Sequence, residues 1–236
     1  MMINYDTVID LSRELRPGMP VWPGDPPAEL ETIASIDREG YLLRRLACGE
    51  HTGTHIGTAA HFHADGTTAD ALEPAMLIRP AIMIDVAARV RENADYHLDV
   101  AAVEHWEREH GRIPPGAVVL LGTGWGERWD DPDAYLGRRH TARAGSPMHT
   151  PGYGLDAARF LACERNVVGL GIDTHGIDPG SDTAFSVNAY WLQGYRFHLE
   201  NLTGLLLLPP SGITLFIGAL KIAGSSGAPA RVLAVC

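Results

Sequence analysis

Sulfur is scarce in this chain: Cys48, Cys163 and Cys236 are its three cysteines, and no two of them share a short spacing. That excludes a zinc ribbon and a disulfide framework, and an odd number of scattered thiols fits a reducing compartment. Long apolar runs are missing too. The run at 205–208, for example, stops at Pro209-Pro210, far short of the ~20 residues that a bilayer span requires. Basic residues are in deficit, 19 against 29 acids, and the net charge of −10 repels phosphate backbones and anionic membrane surfaces. Nucleic acid and membrane are therefore not expected as partners. Repeats, low-complexity tracts and Gly/Ser linkers are also lacking, so one domain over residues 1–236 is expected. Residues 1–6 have neither a basic nor an apolar leader pattern, from which a cytoplasmic location is expected.

What the chain does contain is a 45% hydrophobic fraction arranged as short Val-, Ile- and Leu-rich runs bounded by Gly or Pro. Runs at 8–11, 81–86, 117–121, 167–172, 205–208 and 214–217 read as buried strands. Helical patterns interleave with them. Asp99 reads as the N-cap of a helix carrying Val100, Val103 and Trp106, with Gly111 as its stop. Leu155, Ala158 and Leu161 suggest a second helix, and residues 186–195 a third. This alternation implies an α/β fold with a mixed sheet. Residues 1–30 form a proline-rich arm, extended rather than helical because proline fixes φ and removes a donor. The polar stretch between Trp125 and Tyr153 is long enough to be a lid or an oligomer contact.

The eleven histidines are spread unevenly. Four fall within thirteen residues, as His51-Thr52-Gly53-Thr54-His55 and then His61-Phe62-His63. Thr-Gly-Thr is a poor helix interior, so the glycine points to a turn on which two imidazoles converge. Neutral imidazole is the commonest ligand of zinc and similar ions, although hydrogen-bonded histidines without a metal satisfy the same spacing. His63 reads as structural and His175 as an exposed loop residue. His198 precedes Glu200 by two, so in a strand the pair would share a face, and His198 is a candidate to replace a missing ligand.

The cluster resembles the signature H-x-G-T-H-x-D-x-P-x-H of the cyclase / kynurenine formamidase (arylformamidase-like) family of metal-dependent hydrolases. Pro20-Val21-Trp22-Pro23-Gly24-Asp25, Asp65-Gly66, Gly171-Ile172-Asp173-Thr174 and Glu200-Asn201-Leu202 agree with it in the same order, from Ile9 to about Leu208. The resemblance implies a single swivelling β/β/α-type domain and assembly as a homodimer or homotetramer. It implies hydrolysis of an amide, formamide or lactone in a small carbonyl substrate. His51 and His55 are the implied metal ligands, Glu200 a third ligand or an orienting carboxylate with a catalytic role, and His61 the proton carrier. Trp22, Phe62, Asn188 and His198 form the expected substrate wall.

Three positions depart from the family pattern, Ala59 standing for its proline among them. Gly57 stands where the shared aspartate ligand belongs, and Asn188 where a histidine precedes the glutamate. One divalent cation is therefore expected rather than two, zinc ahead of manganese, with a metal-free acid–base site as the alternative. Restoring the carboxylate with Gly57→Asp is expected to raise metal affinity. Two rival readings are a non-hydrolytic cyclase, isomerase or lyase of secondary metabolism, and an inactive small-molecule-binding homologue.

Overall fold

Side chains alternate along the central strands, and that alternation divides the apolar residues between two cores. The computed structural model describes residues 6–138 and 148–236. Its strands are β1 (Val8–Asp10), β2 (Glu29–Ala34), β3 (Leu43–Ala47), β4 (His55–Gly57), β5 (Ile78–Asp85) and β6 (His97–Leu98), followed by β7 (Val118–Gly122), β8 (Gly152–Tyr153), β9 (Gly169–Ile172), β10 (Phe197–Glu200), β11 (Ile213–Ala219) and β12 (Gly227–Val235). The main sheet runs β1-β12-β11-β5-β7-β9-β10-β4, and β4 also pairs with β12, so the sheet closes on itself like a barrel. Neighbours β5, β7, β9 and β10 are parallel, whereas β4, β12, β11 and β5 pair antiparallel in turn. The sheet is mixed, as the order of elements implied.

Val118 and Leu120 of β7 point inside the barrel, where Ile56, Phe197, Leu199 and Leu215 join them. Val119 and Leu121 point outward against the helical layer, with Val103, Leu161 and Trp191. Among the described residues six helices supply that layer and its connections: α1 (Ile36–Glu39), α2 (Ala87–Glu92), α3 (Val100–His110), α4 (Pro132–Tyr135), α5 (Leu155–Arg165) and α6 (Ser186–Trp191). α3 begins and ends where its caps predict: the Asp99 carboxylate accepts from Ala102 N at 2.7 Å, and Gly111 closes the helix at φ 90°. A bidentate pair between Arg165 and Glu107, at 2.7 and 2.8 Å, ties α5 to α3.

Two expected elements are corrected. Residues 205–208 are not a strand: Leu205–Leu207 is a 3-10 turn entered through Gly204 at φ 68°. Its Leu205 and Leu208 cover the barrel core while Leu207 is 73% exposed. A run of four leucines has no period with which to separate strand from turn. α6 ends at Trp191 rather than near Tyr195, because the chain turns through Gly194 at φ 78°. Strands β4, β10 and β12 and the β2–β3 hairpin were not foreseen; they are short, polar, or interrupted by Gly and Pro. Of the polar 125–153 stretch, expected as a lid or an oligomer contact, residues 139–147 lie outside the described residues. Among the described residues no helix is long and apolar enough to cross a membrane.

Candidate metal centre and active-site cavity

The site grows from the pairing of two short strands. β4 and β10 are antiparallel, with Gly57 opposite His198 and His55 opposite Glu200. Ile56, Phe197 and Leu199 point into the barrel, so by the period of two His55, Gly57, His198 and Glu200 point to the other face. His51 comes from the turn before β4. Gly53 takes φ 64° there, and a Cβ on it would lie 2.7 Å from Leu15 Cδ2 of the arm, so glycine is required twice over. The Gly53 carbonyl accepts from His55 Nδ1 at 2.9 Å and from Asn201 Nδ2 at 2.8 Å. Asn201, at φ 56°, bends the chain out of β10 while making that clamp. The turn expected from Thr-Gly-Thr is present, and it converges the two imidazoles, whose rings meet edge-on with centroids 5.0 Å apart.

Hydrogen bonds around the cluster fix where the imidazole protons are. His55 Nδ1 donates to Gly53 O, which leaves Nε2 as a bare acceptor. His198 Nδ1 donates to Asn188 Oδ1 at 2.8 Å, and Asn188 Nδ2 in turn donates to Asp178 Oδ2 at 2.8 Å. His51 Nε2 lies 3.0 Å from Ser226 Oγ, and the single hydroxyl proton of Ser226 goes to Glu50 Oε2 at 2.8 Å. His51 Nε2 must therefore be the donor. Each ring gives its only proton outward. His51 Nδ1, His55 Nε2 and His198 Nε2 are left buried without a hydrogen-bond partner among the described residues.

One ring nitrogen from each of these three histidines lies within 4.8 Å of the others. Beside them Glu200 places Oε2 at 3.3 Å from His55 Nε2, while its Oε1 accepts from Ile177 N at 3.0 Å. Lone pairs and a carboxylate oxygen gathered round one point repel each other unless a cation or proton lies among them. Imidazoles whose outer nitrogens are anchored to carbonyl, amide or hydroxyl groups are a donor set that fits a divalent ion. Burial depresses the pKa of His51, and that of His198 to about 4, so both rings are neutral at physiological pH. Burial opposes ionisation of Glu200; a proton or cation shared with His198 and His55 is what holds its carboxyl below the ordinary range.

A cavity of about 540 Å³ opens onto this cluster. Its wall carries Trp22, Phe62 and Phe185, with Trp22 and Phe62 5.8 and 6.0 Å from the Phe185 ring. Trp22 and Phe62 both line this cavity. Phe185 is held at φ 52° by a turn in which Asp182 accepts from Ala184 N and Ser186 N. His61 is exposed at the cavity and stacks on His51 with ring centroids 3.8 Å apart. Asn188 also lines the cavity, with its amide occupied by His198 and Asp178.

His198 is a correction to the expected wall: it is 1% exposed and belongs to the imidazole cluster, not to the cavity lining. His175 is a second correction. It is not an exposed loop residue but packs edge-on to Trp22 at 5.1 Å, with both ring nitrogens shielded and unpartnered among the described residues. Burial lowers its pKa to about 4. His63 is structural as expected, its Nε2 3.0 Å from Ala189 O. Sequence reasoning missed Phe185 and the Glu50–Ser226 pair. No local motif marks them, because each acts through a partner remote in the chain.

Residues 9–179 match the family model described as "Putative cyclase". The chain belongs to the cyclase family. Among its relatives, the isatin hydrolase of Roseibium aggregatum is 30% identical, covering 97% of this cyclase-family chain and 91% of its own length. The kynurenine formamidase of Salinibacter ruber is 29% identical over 96% of both chains. A solved structure, isatin hydrolase A from Ralstonia solanacearum, superposes with a TM-score of 0.89 at 37% identity, covering 97% of this chain and 91% of that one. The expected family and mixed α/β fold are borne out, and the chain stands among cyclase-family hydrolases.

Proposed function

We propose that this cyclase-family protein is a metal-dependent hydrolase that opens the C–N bond of a small cyclic amide or N-formyl amine bearing an aromatic ring. The observation that carries the reading is three inward, unpartnered imidazole lone pairs beneath an aromatic-walled cavity. A divalent cation would be held by His51, His55 and His198 beside Glu200, and when bound it supplies carbonyl polarisation and a more acidic water. His61, open to the cavity, accepts the proton of the attacking water and delivers it to the leaving nitrogen. Trp22, Phe62 and Phe185 sandwich the aromatic part of the substrate. A cavity of about 540 Å³ suits one- or two-ring molecules. His175, neutral and unpartnered, donates to a substrate carbonyl or product carboxylate oxygen. The relatives named isatin hydrolase and kynurenine formamidase support this substrate class.

The chain acts as one cytoplasmic domain in a homodimer or homotetramer. Exposed apolar side chains at and beside the β2–β3 hairpin, Tyr41, Leu42, Leu43 and Leu46 among them, support the assembly. The test is an ultraviolet hydrolysis assay on isatin and N-formylkynurenine, with protein purified without chelator, then stripped, then reloaded with zinc or manganese. Turnover that disappears on stripping and returns on reloading is the expected result. Stoichiometric metal with no turnover of any cyclic amide, formamide or lactone would overturn the hydrolase assignment. Turnover indifferent to stripping would overturn the metal.

A further inference from the structure

Gly57 occupies the position of the family signature where a carboxylate is missing, and the structure shows what fills that volume. A Cβ built on Gly57 would stand 1.9 Å from His198 Nε2 and 2.7 Å from each flanking ring carbon. Only hydrogen fits at position 57 while the His198 ring is where it is. That ring faces Gly57 across the β4–β10 pair, and its orientation is held by Asn188, which Asp178 holds in turn. Gly227, opposite Gly57 on β12, treats His51 in the same way: a Cβ there would lie 2.5 Å from His51 Cε1. Two facing glycines thus form the floor on which two of the three imidazoles rest.

We propose that Gly57 and His198 are a reciprocal ligand exchange, in which the His198 imidazole takes the place of the aspartate that position 57 lacks. The product is a single-ion site with three imidazole donors. This rests on the metal-dependent reading above. An imidazole has one ring lone pair to offer and cannot bridge two cations as a carboxylate does, so the exchange favours one ion. Replacing a hard oxygen by a nitrogen donor also turns preference from manganese toward zinc. An aspartate at 57 and the present His198 ring exclude each other sterically. Gly57→Asp alone therefore collides with His198 instead of adding a ligand, contrary to the expectation from the motif.

The experiment measures zinc and manganese dissociation constants by chelator competition, and the cobalt(II) absorption spectrum, for wild type, H198A, G57A, G57D and G57D/H198A. Circular dichroism checks folding. H198A and G57A should each weaken zinc binding by about 10- to 100-fold or more and alter the cobalt spectrum. G57D/H198A should regain roughly tenfold over H198A and lower the zinc-over-manganese ratio relative to wild type. G57D should bind zinc less tightly than the double variant. Zinc bound stoichiometrically by wild type and just as tightly by H198A overturns the exchange and leaves the metal reading standing. So does G57D binding zinc more tightly than wild type. A wild type that takes up neither metal overturns the metal reading and the exchange with it. If the G57A or G57D single variant does not fold, H198A against G57D/H198A still decides.

Discussion

Asn188→Ala tests whether the amide at 188 serves the cluster or only the packing of α6. The residue is 5% exposed and makes two side-chain hydrogen bonds of 2.8 Å, one to His198 Nδ1 and one to Asp178. A neutral buried bond contributes about 0.5–1.5 kcal/mol and one to a charged group about 1.5–3 kcal/mol, so the loss totals about 2–4.5 kcal/mol. For a chain of this length each kcal/mol moves Tm by roughly 2–4 °C, and a fall of about 5–15 °C is expected in thermal melts. The α6 entry should survive, because Asp178 Oδ1 still accepts from Val187 N. Freed of its acceptor, the His198 ring can turn or change tautomer, and zinc affinity should fall about 10- to 100-fold in chelator competition. A lower Tm with unchanged zinc affinity would refute the reasoning, since His198 would then need no help from Asn188 to face the cluster.

Three further outcomes follow from the same geometry. His61→Asn should lower kcat by about 10²–10⁴-fold while stoichiometric metal is retained; loss of metal instead would make His61 a ligand. Trp22→Ala removes a ring packed against Phe185 and His175, and should raise KM for aromatic substrates roughly 2- to 10-fold with little change for small aliphatic amides. Hydrogen bonds from Arg165 hold the Glu107 carboxyl below its ordinary value of 4.5. The stability this pair contributes is therefore fully present above pH 4.5 and lost as pH falls through the lower native value. Urea midpoints of wild type and Glu107→Gln should converge on acidification, and curves that stay parallel would show the pair contributes nothing.

What could be read in advance was what is local. Asp99 and Gly111 bracket α3 because a cap is a contact between neighbours in the chain. His198 and Glu200 share a face because a strand repeats every two residues, a rule that needs no knowledge of the partner strand. The His51 to His61 pattern was legible for the same reason, its turn being set by Gly53. The hidden features depend on register between remote segments. Ser226 decides the His51 tautomer from the far end of the chain, and His175 lines the cavity beside Trp22, which the arm brings in from the start of the chain.

Position 57 shows most clearly what such register adds. In the sequence a glycine there reads as a ligand deleted; in the folded chain it is the space that the His198 ring fills. Paired strands preserve the volume between facing residues, so a side chain lost on one strand can be made up on the other without any trace in the local motif. His198 does so with a ring that the glycine alone makes possible, and its proton is turned away from the site by Asn188. A missing carboxylate in this family is therefore an argument against metal only after the residue across the strand has been inspected. Here that residue presents a lone pair to the same point.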